Sequence, residues 1–132
     1  MTASPTVLFI CTHNAGRSQL GAHLLAHVAG GSVTATSAGV SPDEHINPVV
    51  AEALGELGID TSEASPRAVT VADLASADIV VTMKPGLSLP GPVVGELVEW
   101  SFADPENWGI NGVRELRDRV LAKVRTLVPA GS

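Results

Sequence analysis

The 132-residue sequence predicts an α/β fold: a single three-layer domain, with a four-stranded, mostly parallel sheet and helices on both faces. Three observations point there. Val7–Ile10 and Ile79–Thr82 are short apolar, β-branched runs of the kind found in strands buried on both faces. Helical spacing of apolar residues falls between and after them, as in Leu20, Leu24 and Val28. Breaks rich in Gly and Pro separate the segments, and strands that alternate with helices close a parallel sheet through crossovers.

Taken in order, the first strand spans about Thr6–Ile10, after the break at Pro5. A small, polar loop, Thr12 to Arg17, leads into a helix over about Arg17–Val28 that stops at Gly30-Gly31. Ser32–Ser37 alternates polar and small apolar residues with β-branched Val33, Thr34 and Thr36, which predicts a second strand at a sheet edge. Ala38–Ile46 reads as loop. Asn47-Pro48 is an N-cap with proline in the first turn, and Val49, Ala53, Leu54 and Leu57 form a stripe ending at Gly58. Thr70–Ala75 has room for one or two helical turns. Ile79–Thr82 is the third strand, Pro85–Pro92 a loop, and Glu96–Trp100 the fourth strand. The last helix is expected over about Gly112–Val128. Val113, Leu116, Val120, Val124 and Leu127 face the core, and Arg114, Arg117, Arg119 and Lys123 point elsewhere.

Composition bounds the function. The chain is 45% hydrophobic and 17% charged, which suits a globular core rather than disorder. A net charge of -6 argues against binding nucleic acid through a basic face. One cysteine permits no internal disulfide, and no apolar run is long enough to span a bilayer. No secretory leader pattern is visible, so a cytoplasmic location with no membrane partner is expected.

The chemistry concentrates between the first strand and the first helix. Cys11 lies where that strand ends and Arg17 where the helix begins. Backbone N–H groups of Thr12, His13, Asn14, Ala15 and Gly16 converge near the helix N-terminus, which holds an oxyanion without a metal. Arg17 adds a planar fork able to bind two oxyanion oxygens. The same field favours thiolate over thiol at Cys11, and Ser18 can donate its hydroxyl to the sulfur. A lone cysteine on an apolar strand is ordinarily a structural thiol, but that reading leaves the polar loop and Arg-Ser unexplained. Asn14 tolerates positive φ. His13 either supports the loop or varies neutrally. His23 and His27, one turn apart, lack a third ligand and read as an ordinary helix face, so no metal site is expected. Arg67 is a second anion contact or, by preference, a solvated charge. Asp104-Pro105 on its own is a turn signal, although a carboxylic acid above a bound anion can supply a proton.

Cys11-Thr-His-Asn-Ala-Gly-Arg17-Ser18 resembles the Cys-x5-Arg-Ser loop of the low-molecular-weight protein tyrosine phosphatase family, which includes a branch of arsenate reductases. The resemblance continues through Ser37-Ala38-Gly39, Asn47-Pro48, Gly58-Ile59-Asp60, Asp78 to Met83, and Asp104-Pro105. It implies a phosphatase-like fold, Asp104 as general acid, and Asn14 and Ser37 as supports of the loop. Within the family the sequence is most similar to the arsenate reductase branch.

The sequence also departs from that branch. Many members carry two further cysteines after the third strand to relay the oxidising equivalent outward. The segment Met83–Pro90 has none here, which puts direct reduction by thioredoxin in doubt. The position of a potassium-binding glutamate in some relatives is Ala22, and no tyrosine is available to frame an aromatic substrate. The resemblance therefore implies a single-cysteine enzyme of the arsenate–mycothiol transferase type. It would bind no cofactor, with arsenate as substrate and an external low-molecular-weight thiol, mycothiol or glutathione, as co-substrate. Mycoredoxin or glutaredoxin would complete the cycle. The alternative is a phosphatase acting on phosphotyrosine or another phosphomonoester. Pro85–Pro92 is the expected wall of the access path, and Trp100 is expected in the core.

Overall fold

The computed structural model describes residues 4–128. Its elements are β1 (Thr6–Cys11), α1 (Arg17–Ala29), β2 (Thr34–Gly39), α2 (Pro48–Gly55), α3 (Val71–Ser76), β3 (Ile79–Thr82), β4 (Glu96–Glu99) and α4 (Ile110–Val124), which runs into a 3-10 turn at Arg125–Leu127. The strands form one sheet in the order β2-β1-β3-β4, and every pairing is parallel. This is the predicted architecture, with "mostly parallel" resolved to all parallel. Within the described residues no helix is long and apolar enough to cross a membrane.

The two faces of β1 explain the three layers. Val7, Phe9 and Cys11 point to one side and pack with Leu20, Leu24 and Leu25 of α1, Val50 and Leu54 of α2, and Val113, Val120 and Val124 of α4. Leu8 and Ile10 point to the other side, against Leu74 of α3, Val69, and partly buried Leu87, Leu89 and Val93. A strand with no solvent face reads as a continuous apolar run, as β1 and β3 do. Helix α1 lies so close to the sheet that a Cβ on Gly21 would come within 2.5 Å of the Phe9 ring. Trp100 is buried as expected, in tilted contact with Phe9 at 6.0 Å.

Several boundaries move. β2 begins at Thr34 and continues to Gly39, two residues beyond the expected end, because its register carries Gly39 beside Cys11. It lies at a sheet edge, as predicted, and β4 forms the other edge. The last helix starts at Ile110 rather than Gly112. Two of the α4 arginines are not free surface charges. Arg114 and Arg117 both bind Glu56, just beyond α2, and Arg117 also donates to Ala53 O at 2.9 Å. Hydrogen bonds from Arg114, then from Arg117, lower the Glu56 carboxyl from 4.5 to about 2.

Candidate active site

β1 sits where the chain reverses direction across the sheet, between β2 and β3, and Cys11 is its last residue. Ligands of open α/β sheets bind beyond the carboxyl ends of strands at such a reversal. Past Cys11 the chain turns through Thr12–Gly16 into α1 with no side-chain N-cap, so the first N–H groups of that helix stay unclaimed by a cap. Cys11, Asn14, Arg17 and Ser18 are all buried.

The loop is held from several sides. Ser18 Oγ lies 3.0 Å from Cys11 Sγ, and the Asn14 N–H donates to that sulfur at 3.3 Å. Asn14 takes φ 53, the only positive φ outside glycine among the described residues. Its side-chain Nδ2 donates to Ser18 Oγ at 2.7 Å and its Oδ1 accepts from the Arg67 backbone N–H at 3.0 Å. Gln19 Nε2 donates to Asn14 O at 2.9 Å, and Gln19 Oε1 lies 3.1 Å from His23 Nε2. Burial lowers the His23 pKa, which suits a neutral imidazole in that pair. Gly39 completes the floor. A Cβ there would fall 2.8 Å from Thr12 O and 2.9 Å from Asn14 N, so the strand and loop approach only because residue 39 has no side chain.

The far wall comes from the chain after β4. Arg17 donates from one terminal nitrogen to Phe102 O at 2.9 Å, and its other lies 3.8 Å from Asp104 Oδ2. Asp104 Oδ1 accepts the Glu106 N–H at 3.1 Å, so the acid closes an Asx turn and also faces the arginine. The turn reading of Asp104-Pro105 and its placement at a site are both observed. Pro105 is buried against Gly16, where an added Cβ would meet Pro105 Cγ at 3.0 Å.

These groups open into a cavity of about 400 Å³, lined by Cys11, His13, Ala15, Gly16, Arg17, Asp104 and Glu106, with residues 43–49 as its outer wall. That wall corrects the expectation for Pro85–Pro92. The Pro85–Pro92 loop instead covers the opposite face of the sheet, where Leu87 and Leu89 pack beside Leu74. Arg67 is an exposed charge, as preferred, rather than a second anion contact. Its guanidinium pairs with Asp73 at 2.8 Å, and its contribution to the loop is its backbone N–H. Burial works against ionisation of Asp73, but hydrogen bonds from Arg67 and Thr70 outweigh it and hold that carboxyl below its ordinary range. Ser37 pairs in register with Phe9, and no hydrogen bond from its hydroxyl to the loop is found among the described residues. The loop supports that sequence reasoning missed are Gln19, the Arg67 N–H and Phe102 O. Gln19 alone had a visible signal, following Arg-Ser directly. Trp108 lines a separate cavity with Phe102, Gly112 and Arg119, so neither tryptophan frames this one.

Comparison with known proteins agrees with the geometry. Residues 6–88 match the family described as low molecular weight phosphotyrosine protein phosphatase. A protein of Halobacterium salinarum is 35% identical over 122 residues, covering 88% of this chain and 85% of its own length. Arsenate reductase 1 of Staphylococcus epidermidis is 31% identical over 92% of this chain and 93% of its own. Among solved structures, a thioredoxin-dependent arsenate reductase of Corynebacterium glutamicum superposes with a TM-score of 0.81 and 36% identity. The match covers 96% of this chain but 61% of that neighbour, which is therefore considerably longer. A parallel sheet in the order β2-β1-β3-β4, a Cys-x5-Arg-Ser loop at the end of its central strand and a family match over residues 6–88 lead to one conclusion: the chain belongs to the low molecular weight phosphotyrosine protein phosphatase family.

Proposed function

We propose that the protein is an arsenate reductase that uses Cys11 as its only thiol and completes turnover with a thiol from solution. The observation that carries this reading is a buried cysteine that meets Ser18 Oγ and the Asn14 N–H, with Arg17 and Asp104 facing each other at the rim of the same cavity. The names of similar proteins favour arsenate over other oxyanions.

In the first step the Cys11 thiolate attacks arsenic. The loop N–H groups and Arg17 hold the arsenate oxygens, and Asp104 gives its proton to the departing hydroxyl. The sulfur–arsenic bond forms, one arsenic–oxygen bond breaks, water leaves, and arsenic remains pentavalent. A small thiolate then has two routes. Attack on arsenic returns Cys11 and releases a thiol–arsenate adduct, again with no change of oxidation state. Attack on Cys11 Sγ forms a mixed disulfide and sends two electrons to arsenic, which leaves as arsenite. A redoxin thiol then reduces the disulfide. Mycothiol is the preferred co-substrate in this reading and glutathione the second choice, with mycoredoxin or glutaredoxin as the matching redoxin.

The cavity also bears on the phosphatase alternative. No Phe, Tyr or Trp lines it, so it offers no aromatic slot for a phosphotyrosine ring. The test offers purified protein arsenate with mycothiol, glutathione or thioredoxin, each with its regenerating system, and a phosphoryl ester separately. Arsenite or a thiol–arsenate adduct formed with a small thiol is the expected result. Robust reduction by thioredoxin alone, or ester hydrolysis without arsenate turnover, would overturn it.

A further inference from the structure

The mouth of the cavity has a charge that an oxyanion site does not need. Asp43, Glu44, Asp104 and Glu106 line it, against Arg17 as its only lysine or arginine. Within that rim, ligand atoms of His13, Asp104 and Glu106 all lie within 4.8 Å of one another. The three come from the anion loop and from the turn after β4, two segments that the fold brings together.

We propose that His13, Asp104 and Glu106 form a binding site for a zinc-class divalent cation, and that the bound cation inhibits the enzyme reversibly. The imidazole is set up for this. His13 Nδ1 lies 3.2 Å from Ser41 O and 3.6 Å from Asp43 Oδ1. The Ser41 carbonyl can only accept, so its bond keeps the proton on Nδ1 and leaves the lone pair on Nε2. A backbone carbonyl behind the ring is an arrangement that orients metal-binding histidines. One imidazole with two carboxylates is a ligand set for zinc or cobalt, with a further position left to water. The surplus of carboxylates at the rim draws a dication in. Coordination takes the Asp104 carboxylate out of proton transfer and places an ion across the path to Cys11. Inhibition rests on the reading of Asp104 given above; binding does not.

The experiment separates the two. Metal-stripped protein is titrated with Co²⁺ and followed by its visible d–d absorption, then with Zn²⁺ in competition. One equivalent is expected to bind the native protein. Glu106→Gln and His13→Ala are each expected to weaken it by at least the ~10–100-fold typical of lost outer-shell partners. Glu106 is exposed, so its variant should fold, and zinc should no longer slow it relative to its own metal-free rate, whatever that rate is. Unchanged cobalt binding in both variants would overturn the site. So would cobalt binding that is lost in Cys11→Ser, together with a thiolate-to-cobalt charge-transfer band, since the ion would then sit on the thiol rather than at the rim.

Discussion

Replacing Asn14 with alanine tests how the anion loop is held. The asparagine is fully buried at φ 53 and supplies two side-chain hydrogen bonds, to Ser18 Oγ and from the Arg67 N–H. Losing both, with Ser18 buried and the Arg67 N–H partly buried, costs about 2–4 kcal/mol. Alanine held in the left-handed region adds about 1–2 kcal/mol. The sum, about 3–6 kcal/mol, is a large share of the ~5–15 kcal/mol that holds a domain of this size together. The loop is expected to rearrange before the whole fold gives way. The assay is urea unfolding with and without phosphate as a stand-in for arsenate. Native protein should gain about 2.7 kcal/mol at a phosphate concentration near 100 times its Kd. Asn14→Ala should gain almost nothing. Asn14→Gly should recover the backbone part alone, since glycine accepts the same φ but restores neither hydrogen bond. An alanine variant within 1 kcal/mol of native and equally stabilised by phosphate would refute this account of the loop.

Arg17→Lys keeps the charge but loses the fork that donates to Phe102 O with one nitrogen and faces Asp104 with the other, and kcat/KM should fall by about 10²–10³-fold; near-normal kinetics would make Arg17 a structural charge. Asp104→Asn should slow kcat by about 10²–10⁴-fold with phosphate affinity and Tm little changed, and should remove the limb of the pH profile due to the acid. An equal loss of binding, or a collapsed Tm, would leave the Asx turn as its only role. Glu56 has its folded carboxyl lowered to about 2 by Arg114 and Arg117, so the unfolded chain binds its proton first as pH falls. Its contribution to stability is present above about pH 4.5 and is lost from there down towards about 2. Because the group is exposed, the effect should be small and salt-sensitive; Glu56→Gln should flatten the acid limb of Tm against pH.

The sequence made some parts of this site plain and hid others for physical reasons. β3 runs Ile79–Thr82 as predicted because a strand buried on both faces reads as a nearly continuous apolar, β-branched run. Asn47 accepts from the Val49 and Val50 N–H groups as an N-cap should, and Gly30 closes α1 in the left-handed conformation. Asn14 was readable because few residues take positive φ. The Arg67 N–H and Phe102 O were not, since any residue at those positions would present the same backbone atoms. The cavity wall was misplaced because Gly and Pro mark a loop without saying which face of the sheet it crosses. The partner of Arg114 and Arg117 was hidden for a related reason: Glu56 lies 58 and 61 residues away in sequence.

The bond from Arg17 to Phe102 spans 85 residues, and it sets an order of events during synthesis. Cys11 leaves the ribosome before the other side chains of the site. Its central strand can pair with β2 early, then with β3, so the sheet grows outward as the chain lengthens. The carbonyl that anchors Arg17 and the carboxyl that faces it emerge only after β4. A nascent chain halted before residue 102 would therefore carry the thiol without its acid and with its arginine unanchored. It could be oxidised or alkylated at Cys11, yet it would lack the groups needed to turn over an oxyanion. Chemical exposure of the cysteine thus precedes enzymatic competence, and the interval between them is fixed by where the last strand falls in the gene.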